Sequence, residues 1–325
     1  MKLSAILAPG PRTLEYALHA EALGYERVWL YDSPALYWDC WPTLGQLASA
    51  TRTVGLGVAT LVPGMRHVVS TVGAALAVDQ LAPGRLALSV GTGFTGRRAL
   101  GQRPHTWNAV AEYTTALRSL LAGDEAEVDG IPVRCLHADG TTRLGHAAIP
   151  VLVAANGPKG IAIARETGDG VISIAAPLGG FAWSAYAVQG TVLDPGEALT
   201  DPAVSDRLAA AIALQYHIAY ELGGPDVVDQ LPGGTRWRAA IELIPAERRH
   251  QAIHEGHVTE PPEREKPLLH PAIAALTFTG TSEELAEKVA GFEESGATEL
   301  IFTPLGSDIH RELRAMANAL GVTTI

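Results

Sequence analysis

Cysteine and long apolar runs are both scarce in this sequence. The 325 residues include two cysteines, Cys40 and Cys135, which lie far apart and have no metal-binding spacing. We therefore expect reduced thiols and a cytoplasmic protein. No apolar run approaches the ~18 residues of a membrane span, so we expect no membrane segment. Pro9 and Gly10 interrupt the short apolar run at the amino end, which argues against a signal peptide.

Positive charge is scarce as well. The chain has 24 Lys and Arg against 35 Asp and Glu, which gives a formal net charge of -11 at pH 7. A nucleic-acid surface needs a basic face, so we expect no nucleic-acid partner. An anionic ligand would have to be held by a local arginine cluster or by backbone N–H groups. With 47% hydrophobic and 18% charged residues, the composition is typical of a folded protein with a large core.

Strand and helix patterns alternate along the chain, which predicts βα units and a parallel sheet. Eight such units over this length predict a (β/α)8 TIM barrel, in one domain that spans residues 1–325. An open, doubly wound sheet is the alternative. The eight predicted strands are 3–8, 27–31, 54–60, 86–90, 150–155, 171–174, 185–193 and 298–303.

Two stretches depart from this alternation and predict insertions after strands 4 and 7. Residues 122–149 are polar and rich in turn residues, which indicates a small hairpin. Residues 201–257 have a long helical pattern, broken at residues 223–225 and again at residues 232–234. No internal repeat or low-complexity linker indicates a second domain.

The fourth predicted strand, residues 86–90, leads directly into Gly91-Thr92-Gly93. Two residues without side chains allow a ligand to approach the backbone, and parallel α/β proteins bind ligands at the carboxyl ends of strands. A tight turn before the next helix would explain the same glycines. The other strand ends decide between these interpretations.

Most of the other strand ends are also small and neutral. In a barrel they meet around one mouth, which would have room for a large planar ligand held mainly by backbone groups. A hydrolase mouth would need a charged cluster instead, and tight barrel packing is the alternative reason for small residues. The strand ends are residues 8–10, 31–33, 57–60, 89–93, 154–157 and 174–176.

Asp32 is the one carboxylate that we place at a strand end. It could accept a proton or a ring N–H, which makes it the candidate catalytic residue, although Asp32-Ser33-Pro34 is also an ordinary turn sequence. Asn156 precedes a predicted helix and could cap it, while free N–H groups at that helix start would suit a phosphate. Both roles are compatible.

Local positive charge occurs at Arg66-His67 and at Arg97-Arg98, on the loops after strands 3 and 4. Next to a glycine-rich mouth, such clusters favour an anionic ligand. The segment 254–257 has two histidines three residues apart, whereas the helical zinc motif needs them four apart with a third ligand elsewhere. We therefore expect no metal site.

These segments together resemble the bacterial luciferase-like flavin and deazaflavin oxidoreductases. Within them the chain is most similar to the coenzyme F420-dependent branch that includes methylenetetrahydromethanopterin reductase. The matching segments follow the family order over almost the whole chain. They are residues 20–32, 54–60, 66–67, 81–85, 91–93, 150–158, 168–172 and 302–306.

The resemblance implies a barrel that binds F420, or FMN as the alternative, at its strand ends. It implies a non-prolyl cis peptide at Gly57-Val58, in a bulge that backs the cofactor ring. It also implies a ring lined by residues 89–92 and a phosphate near Asn156, Gly157 and Ile174. The full set of candidate cofactor contacts is Gly57, Val58, Ala59, Ser89, Val90, Gly91, Thr92, Arg97, Ala155, Asn156, Gly157, Ile174 and Ala175.

The activity that the resemblance implies is hydride transfer between the deazaflavin C5 and a small organic substrate. Ile6, Ser33 and Phe94 stand where relatives of known substrate carry a glutamate, a histidine and a glutamate, which argues against those two substrates. An FMN-dependent monooxygenase and a non-catalytic flavin carrier or sensor are the alternatives. Homodimers are common in the family.

The sequence also indicates which segments would surround the substrate. Aromatic residues in the loops would form an apolar wall, and residues 248–265 would belong to a lid. The aromatic residues are Tyr37, Trp38, Trp41 and Phe94.

Overall fold

The computed structural model describes residues 1–322, and eight parallel strands in this part close into a barrel. The order around the barrel is β1-β10-β9-β8-β7-β4-β3-β2, and β1 pairs with both β2 and β10. The predicted TIM barrel is therefore confirmed, and the open sheet is wrong because no barrel edge stays unpaired. The strands are β1 (Lys2–Leu7), β2 (Arg27–Leu30), β3 (Gly55–Leu61), β4 (Leu86–Val90), β5 (Ala126–Val128), β6 (Ile131–Val133), β7 (Val151–Ala154), β8 (Gly170–Ser173), β9 (Ser184–Gln189) and β10 (Glu299–Thr303).

Helices fill the connections between the strands. They are α1 (Thr13–Ala22), α2 (Cys40–Ala50), α3 (Val68–Leu81), α4 (Phe94–Arg98), α5 (Trp107–Leu121), α6 (Pro158–Thr167), α7 (Pro202–Arg207), α8 (Ala209–Gly223), α9 (Pro225–Val228), α10 (Gly234–Glu242), α11 (Arg249–His254), α12 (Ser282–Glu294) and α13 (Ile309–Ala319). Short 3-10 turns occupy Ala246–Arg248, Lys266–Leu268 and Pro271–Leu276. Among the described helices, none is long and apolar enough to cross a membrane.

The strands β5 and β6 form a separate antiparallel hairpin between β4 and β7. Between β9 and β10, helices α7 to α11 and the three 3-10 turns form what we call the helical layer (residues 202–276). This layer has its own hydrophobic cluster, in which Tyr216 stacks on Trp237 at a centroid distance of 5.6 Å. The layer therefore holds its shape through contacts of its own beside the barrel.

Successive side chains of each barrel strand point alternately outwards and inwards, so the barrel has two apolar clusters, one outside its wall and one inside it. Side chains such as Leu88 and Val90 pack outwards against the helices, whereas Ala87 and Ile172 point into the barrel. Since successive side chains of a strand point to opposite faces, the inward set repeats every second residue. This period decides which strand-end residues can reach a ligand in the mouth.

Large side chains fill the amino-terminal end of the barrel. The indole N–H groups of Trp29 and Trp183 both donate to the buried Glu299 carboxylate, at 2.9 and 2.5 Å. The Arg27 guanidinium lies 5.4 and 5.2 Å from the centroids of these two indole rings. Because these large side chains occupy the amino-terminal end, we expect a ligand to bind at the carboxyl ends of the strands.

The third strand contains the expected non-prolyl cis peptide, but two residues later than predicted. It joins Ala59 to Thr60, within the register shift between Val58 and Leu61, so the placement at Gly57-Val58 is wrong. Gly57, two residues before the cis bond, faces the barrel interior. A Cβ on Gly57 would lie 2.3 Å from the Trp29 ring, so a side chain there would clash with the packed interior.

The seventh barrel strand is shorter than predicted, ending at Gln189 instead of residue 193. The next residue, Gly190, passes so close to residue 278 that a Cβ would lie 1.9 Å from the Phe278 carbonyl oxygen. The chain therefore leaves the barrel wall at this crossing. The central strand β4 has the predicted bounds, and Thr281 caps α12 in a capping box with Glu284, as its sequence position indicates.

Candidate active site

The barrel mouth is built from small residues at neighbouring strand ends. A Cβ placed on Gly91 would lie 3.0 Å from Cγ2 of Thr60 and 3.4 Å from Cβ of Ala154. These contacts bring the ends of β3, β4 and β7 together around one glycine. The absence of a side chain on Gly91 thus lets these three strand ends approach each other closely at the mouth.

The predicted cofactor residues on β3 and β4 divide between the two faces of the barrel wall. Ala59 belongs to the interior cluster, and Ser89 alternates with the inward Ala87, so both side chains lie inside the barrel. Val58 and Val90 pack outwards against helices and offer a ligand only their backbone. Strand alternation thus halves the set of side chains that can contact a ligand.

Asn156 connects the ends of β7 and β8. Its Oδ1 accepts hydrogen bonds from the backbone N–H groups of Ile174 at 2.8 Å and Ala175 at 3.1 Å. Ile174 and Ala175 are both exposed, so the loop after β8 is held in place mainly by this side chain. The predicted capping role of Asn156 is wrong, because Gly157 is the N-cap residue of α6.

The amino end of α6 is open towards the same loop. Pro158 occupies the first turn, and among the described residues no side chain caps the helix. The backbone N–H groups of Lys159 and Gly160 therefore lack intrahelical acceptors, as at any helix start, and they carry the positive end of the helix dipole. Ala155 packs beneath this helix, where a Cβ on Gly160 would come within 2.9 Å of it.

We expect Asn156→Ala to lower the free energy of unfolding by about 1–3 kcal/mol, because two backbone donors lose their acceptor. Asn156→Asp retains an acceptor oxygen, so its stability should stay close to that of the wild type. The added negative charge near the α6 amino end should nevertheless weaken the binding of an anionic ligand. Urea unfolding and ligand titration separate these effects.

Asn108→Ala is the matched control, since Asn108 lies exposed on α5. It should change neither stability nor binding by more than about 0.5 kcal/mol. Equal losses for Asn156→Ala and this control would contradict the bridging role of Asn156.

Asp32 lies after β2 and is only 3% exposed. Its two carboxylate oxygens accept hydrogen bonds from one guanidinium nitrogen of Arg66, at 2.7 and 2.8 Å, and the other nitrogen donates to Asp39 at 2.5 Å. Burial raises the pKa of Asp32, and the hydrogen bonds from Arg66 oppose that rise. The arrangement fixes the loops after β2 and β3 to each other.

Thr92 lies on the loop after β4, and Arg97 lies in α4, which follows that loop. The Thr92 carbonyl accepts the backbone N–H of His105 at 2.8 Å, and Nε of Arg97 donates to the Arg103 carbonyl at 2.6 Å. Arg98 places its guanidinium 4.6 Å from the centre of the Phe94 ring. These contacts keep the positive charge of both arginines close to the mouth.

The aromatic residues that were predicted to line a substrate wall have different positions. Trp41 is buried in the main core, and Trp38 is 56% exposed. Tyr37 stacks on Tyr31 at a centroid distance of 5.7 Å, and the Tyr31 hydroxyl lies 3.4 Å from Oγ1 of Thr303. Tyr31 and Tyr37 therefore form the aromatic side of the mouth.

Sequence patterns did not single out Thr303 or the side chain of Tyr31. Thr303 is the last residue of an apolar strand, and Tyr31 is one of several aromatic residues near β2. The alternation of β2 would have been the usable signal, since Trp29 and Tyr31 share the inward face. Within residues 1–322, no group of three or more His, Cys, Asp and Glu has metal-binding geometry.

The fold and this mouth define a (β/α)8 barrel with a ligand site at the carboxyl ends of its strands. Residues 4–299 match the family described as luciferase-like monooxygenases. The chain belongs to this family, which confirms the resemblance stated from its motifs.

Several relatives are similar over nearly their whole length. The chain is 24% identical over 331 residues to the 5,10-methylenetetrahydromethanopterin reductase of Methanolobus tindarius, covering 96% of each protein. It is 26% identical over 330 residues to the F420-dependent glucose-6-phosphate dehydrogenase of Kineococcus radiotolerans, covering 94% of this chain and 90% of that protein. The structure of the coenzyme F420-dependent tetrahydromethanopterin reductase from Methanopyrus kandleri shares the fold, with a TM-score of 0.71, 16% identity and 98% coverage of each chain.

Proposed function

We propose that this protein is an F420-dependent oxidoreductase that transfers a hydride between the deazaflavin C5 and a small organic substrate. The observation that carries the proposal is the small-residue mouth around Gly91, next to the open amino end of α6. A planar ring and an anionic tail fit these two features. The names of the relatives support F420 as the cofactor.

The residues present fit such a cofactor. Gly91 and Thr60 would border the ring, since they meet at the ends of β4 and β3, where Gly91 has no side chain. The N–H groups at the start of α6, with the loop that Asn156 holds, would bind a phosphate. Arg97 would add positive charge in a chain whose net charge is -11.

The chemistry supplied by a bound deazaflavin is two-electron hydride transfer at carbon, so the protein has to bind, orient and exclude water. Tyr31 and Tyr37 offer an apolar face for a substrate above the ring, and Thr303 offers a hydroxyl beside it. Asp32 stays the predicted catalytic residue. Its ion pair with Arg66 also holds the loops that shape this side of the mouth.

Ile6 and Phe94 narrow the substrate class, because they stand where relatives of known substrate carry a glutamate. Ile6 lies inside the barrel in the interior cluster, and Phe94 lies under the Arg98 guanidinium. An apolar or aromatic compound with one polar group suits these surroundings better than a sugar phosphate. We propose a pterin-like, imine or unsaturated carbonyl substrate.

A fluorescence titration of the purified protein with F420, with FMN in parallel, tests the proposed cofactor. Micromolar binding of F420 with weak binding of FMN supports the proposal. A preference for FMN would support the second candidate function, a monooxygenase with flavin reduced elsewhere, which the description of the matched family favours.

A turnover assay separates an enzyme from a carrier. Reduced F420 should be oxidised in the presence of an unsaturated carbonyl or imine compound, and the change in F420 absorbance measures it. Tight binding without turnover across the whole substrate panel would favour the carrier or sensor. Binding of neither cofactor would overturn the proposed function.

A further inference from the structure

Two glutamates and three histidines are buried together in the helical layer. Nε2 of His217 lies 2.9 Å from Oε2 of Glu265, and Nε2 of His254 lies 3.1 Å from Oε1 of Glu221. The third histidine, His257, is 7% exposed and has no carboxylate partner within the described part of the chain. The proposed function uses none of these side chains, although buried polar groups are costly to retain.

His257 is the member of this cluster that contacts the barrel. Its Nε2 lies 3.5 Å from Oγ1 of Thr95, in α4 directly after the glycines of the mouth. Its backbone carbonyl accepts a hydrogen bond from the Tyr37 hydroxyl, in the loop after β2. One residue of the helical layer therefore touches two sides of the mouth.

The contact through Tyr37 continues into the barrel. Tyr37 stacks on Tyr31, whose ring lies among the interior residues at the end of β2. Movement of His257 away from Tyr37 would therefore alter the aromatic side of the mouth itself. The segment that carries this effect is residues 249–265, which contains His254, His257 and Glu265.

The surroundings of His257 favour its neutral form. Its ring lies 5.3 Å from the ring of His254 and 6.2 Å from the ring of His217. Burial and these two neighbours lower the pKa of His257 well below the ordinary histidine value. Its Nδ1 has no hydrogen-bond partner among residues 1–322, so an added proton would have no acceptor.

The charged groups near His257 would not stabilise a positive charge on its ring. Glu265 and Glu221 already pair with His217 and His254. Two arginines lie on the far side of these glutamates, and their positive charge would repel a protonated His257. Arg98 lies 3.8 Å from Glu221, and Arg264 lies 3.9 Å from Glu265. On the barrel side, the titratable groups are Arg98 in α4 and Tyr37, whose hydroxyl donates a hydrogen bond to the His257 carbonyl.

We propose that His257 is a latch: its neutral ring stays buried against Thr95 and keeps residues 249–265 at the mouth, beside the contact between its carbonyl and Tyr37, and protonation releases them because the added charge has no acceptor there. In the proposed reaction it acts as a positioning residue that decides how closely the helical layer covers the mouth. That consequence rests on the proposed function, whereas the fastening does not.

Hydrogen–deuterium exchange of the full chain without cofactor tests the latch. After correction for intrinsic rates, peptides from residues 249–265 should exchange about tenfold faster at about pH 5.5 than at about pH 7.5. Peptides from α12 provide the internal reference and should keep their protection at both pH values. Equal protection of residues 249–265 at both pH values would overturn the proposal.

Two substitutions at one position separate contact from charge. His257→Gln keeps a polar atom near the position of Nε2 but cannot titrate, so residues 249–265 should stay protected at both pH values. His257→Leu removes the polar atom, and exchange should be about tenfold faster even at about pH 7.5. A pH dependence that persists in His257→Gln would assign the effect to another group and overturn the latch.

Thr95→Val removes the same contact from the barrel side at nearly constant volume. It provides the decisive variant if His257→Leu does not fold, and it should raise exchange of residues 249–265 severalfold at about pH 7.5. Unchanged exchange in Thr95→Val would overturn the latch. Because no cofactor is present, failure of F420 to bind would overturn the proposed function alone.

Discussion

Gly91→Val is expected to abolish detectable F420 binding while the barrel stays folded. The Cβ of the new side chain would lie 3.0 Å from Cγ2 of Thr60 and 3.4 Å from Cβ of Ala154, so we expect the two further methyl groups of valine to push towards the mouth. They would fill the space that we assign to the cofactor ring. A loss of about 2–3 kcal/mol in binding free energy weakens binding about 30- to 150-fold, and full steric exclusion of the ring would weaken it further.

Fluorescence titration with F420 measures the loss, and Gly91→Ala should give an intermediate value. The control is Gly73→Ala in α3, where a Cβ meets nothing within 4 Å, so F420 affinity should not change. Far-UV circular dichroism establishes that the barrel is retained. Wild-type affinity in a folded Gly91→Val variant would show that the ring lies elsewhere.

Arg66→Met is expected to lower the free energy of unfolding by about 3–5 kcal/mol, because it leaves the buried Asp32 carboxylate without its partner. The Asp32 side chain is 2% exposed and that of Arg66 is 18% exposed, so water cannot replace the two hydrogen bonds well. Arg66→Lys keeps the charge but lacks the second nitrogen that bonds to Asp39, and its loss of stability should be smaller. Urea unfolding measures all three proteins.

The loss in Arg66→Met should depend on pH. Burial already raises the pKa of Asp32 above the ordinary value of 3.8, and removal of Arg66 removes the opposing contribution. Between 3.8 and the raised pKa, the folded state binds more protons than the unfolded state, so the free energy of unfolding falls as pH rises through this window. The difference from the wild type should therefore be largest at neutral pH and shrink towards acid pH.

An exposed pair provides the comparison. Arg12 and Glu15 have side chains that are 53% and 49% exposed, and Arg12→Met should cost no more than about 1 kcal/mol. Two results would show that Arg66 does not hold Asp32 in the way that the structure indicates. One is a loss of stability in Arg66→Met no larger than that in Arg12→Met, and the other is a loss that does not vary with pH.

Local patterns predicted the architecture because each βα unit repeats the same signals. The apolar run that follows the turn 82–85 defined β4 to the residue. A hairpin within residues 122–149 also followed from turn residues alone. These features depend on neighbours within a few positions, which a sequence displays directly.

The same patterns were less reliable where a position depends on a distant residue. No residue close to Gly57 in the sequence indicates that the Trp29 ring on the neighbouring strand lies beside it. Asn156 was expected to cap the helix after it, but its oxygen accepts hydrogen bonds from Ile174 and Ala175. In both cases the partner is brought close by barrel closure and not by sequence spacing.

By itself, the sequence determined the eight-unit barrel, the small residues around its mouth and the resemblance to the luciferase-like family. Only the tertiary structure decided that Asp32 pairs with Arg66, that the cis peptide joins Ala59 to Thr60, and that His257 touches Thr95 across 162 positions. The physical reason is that periodicity reports which face of an element is apolar, whereas the pairing of polar side chains depends on how those faces are brought together.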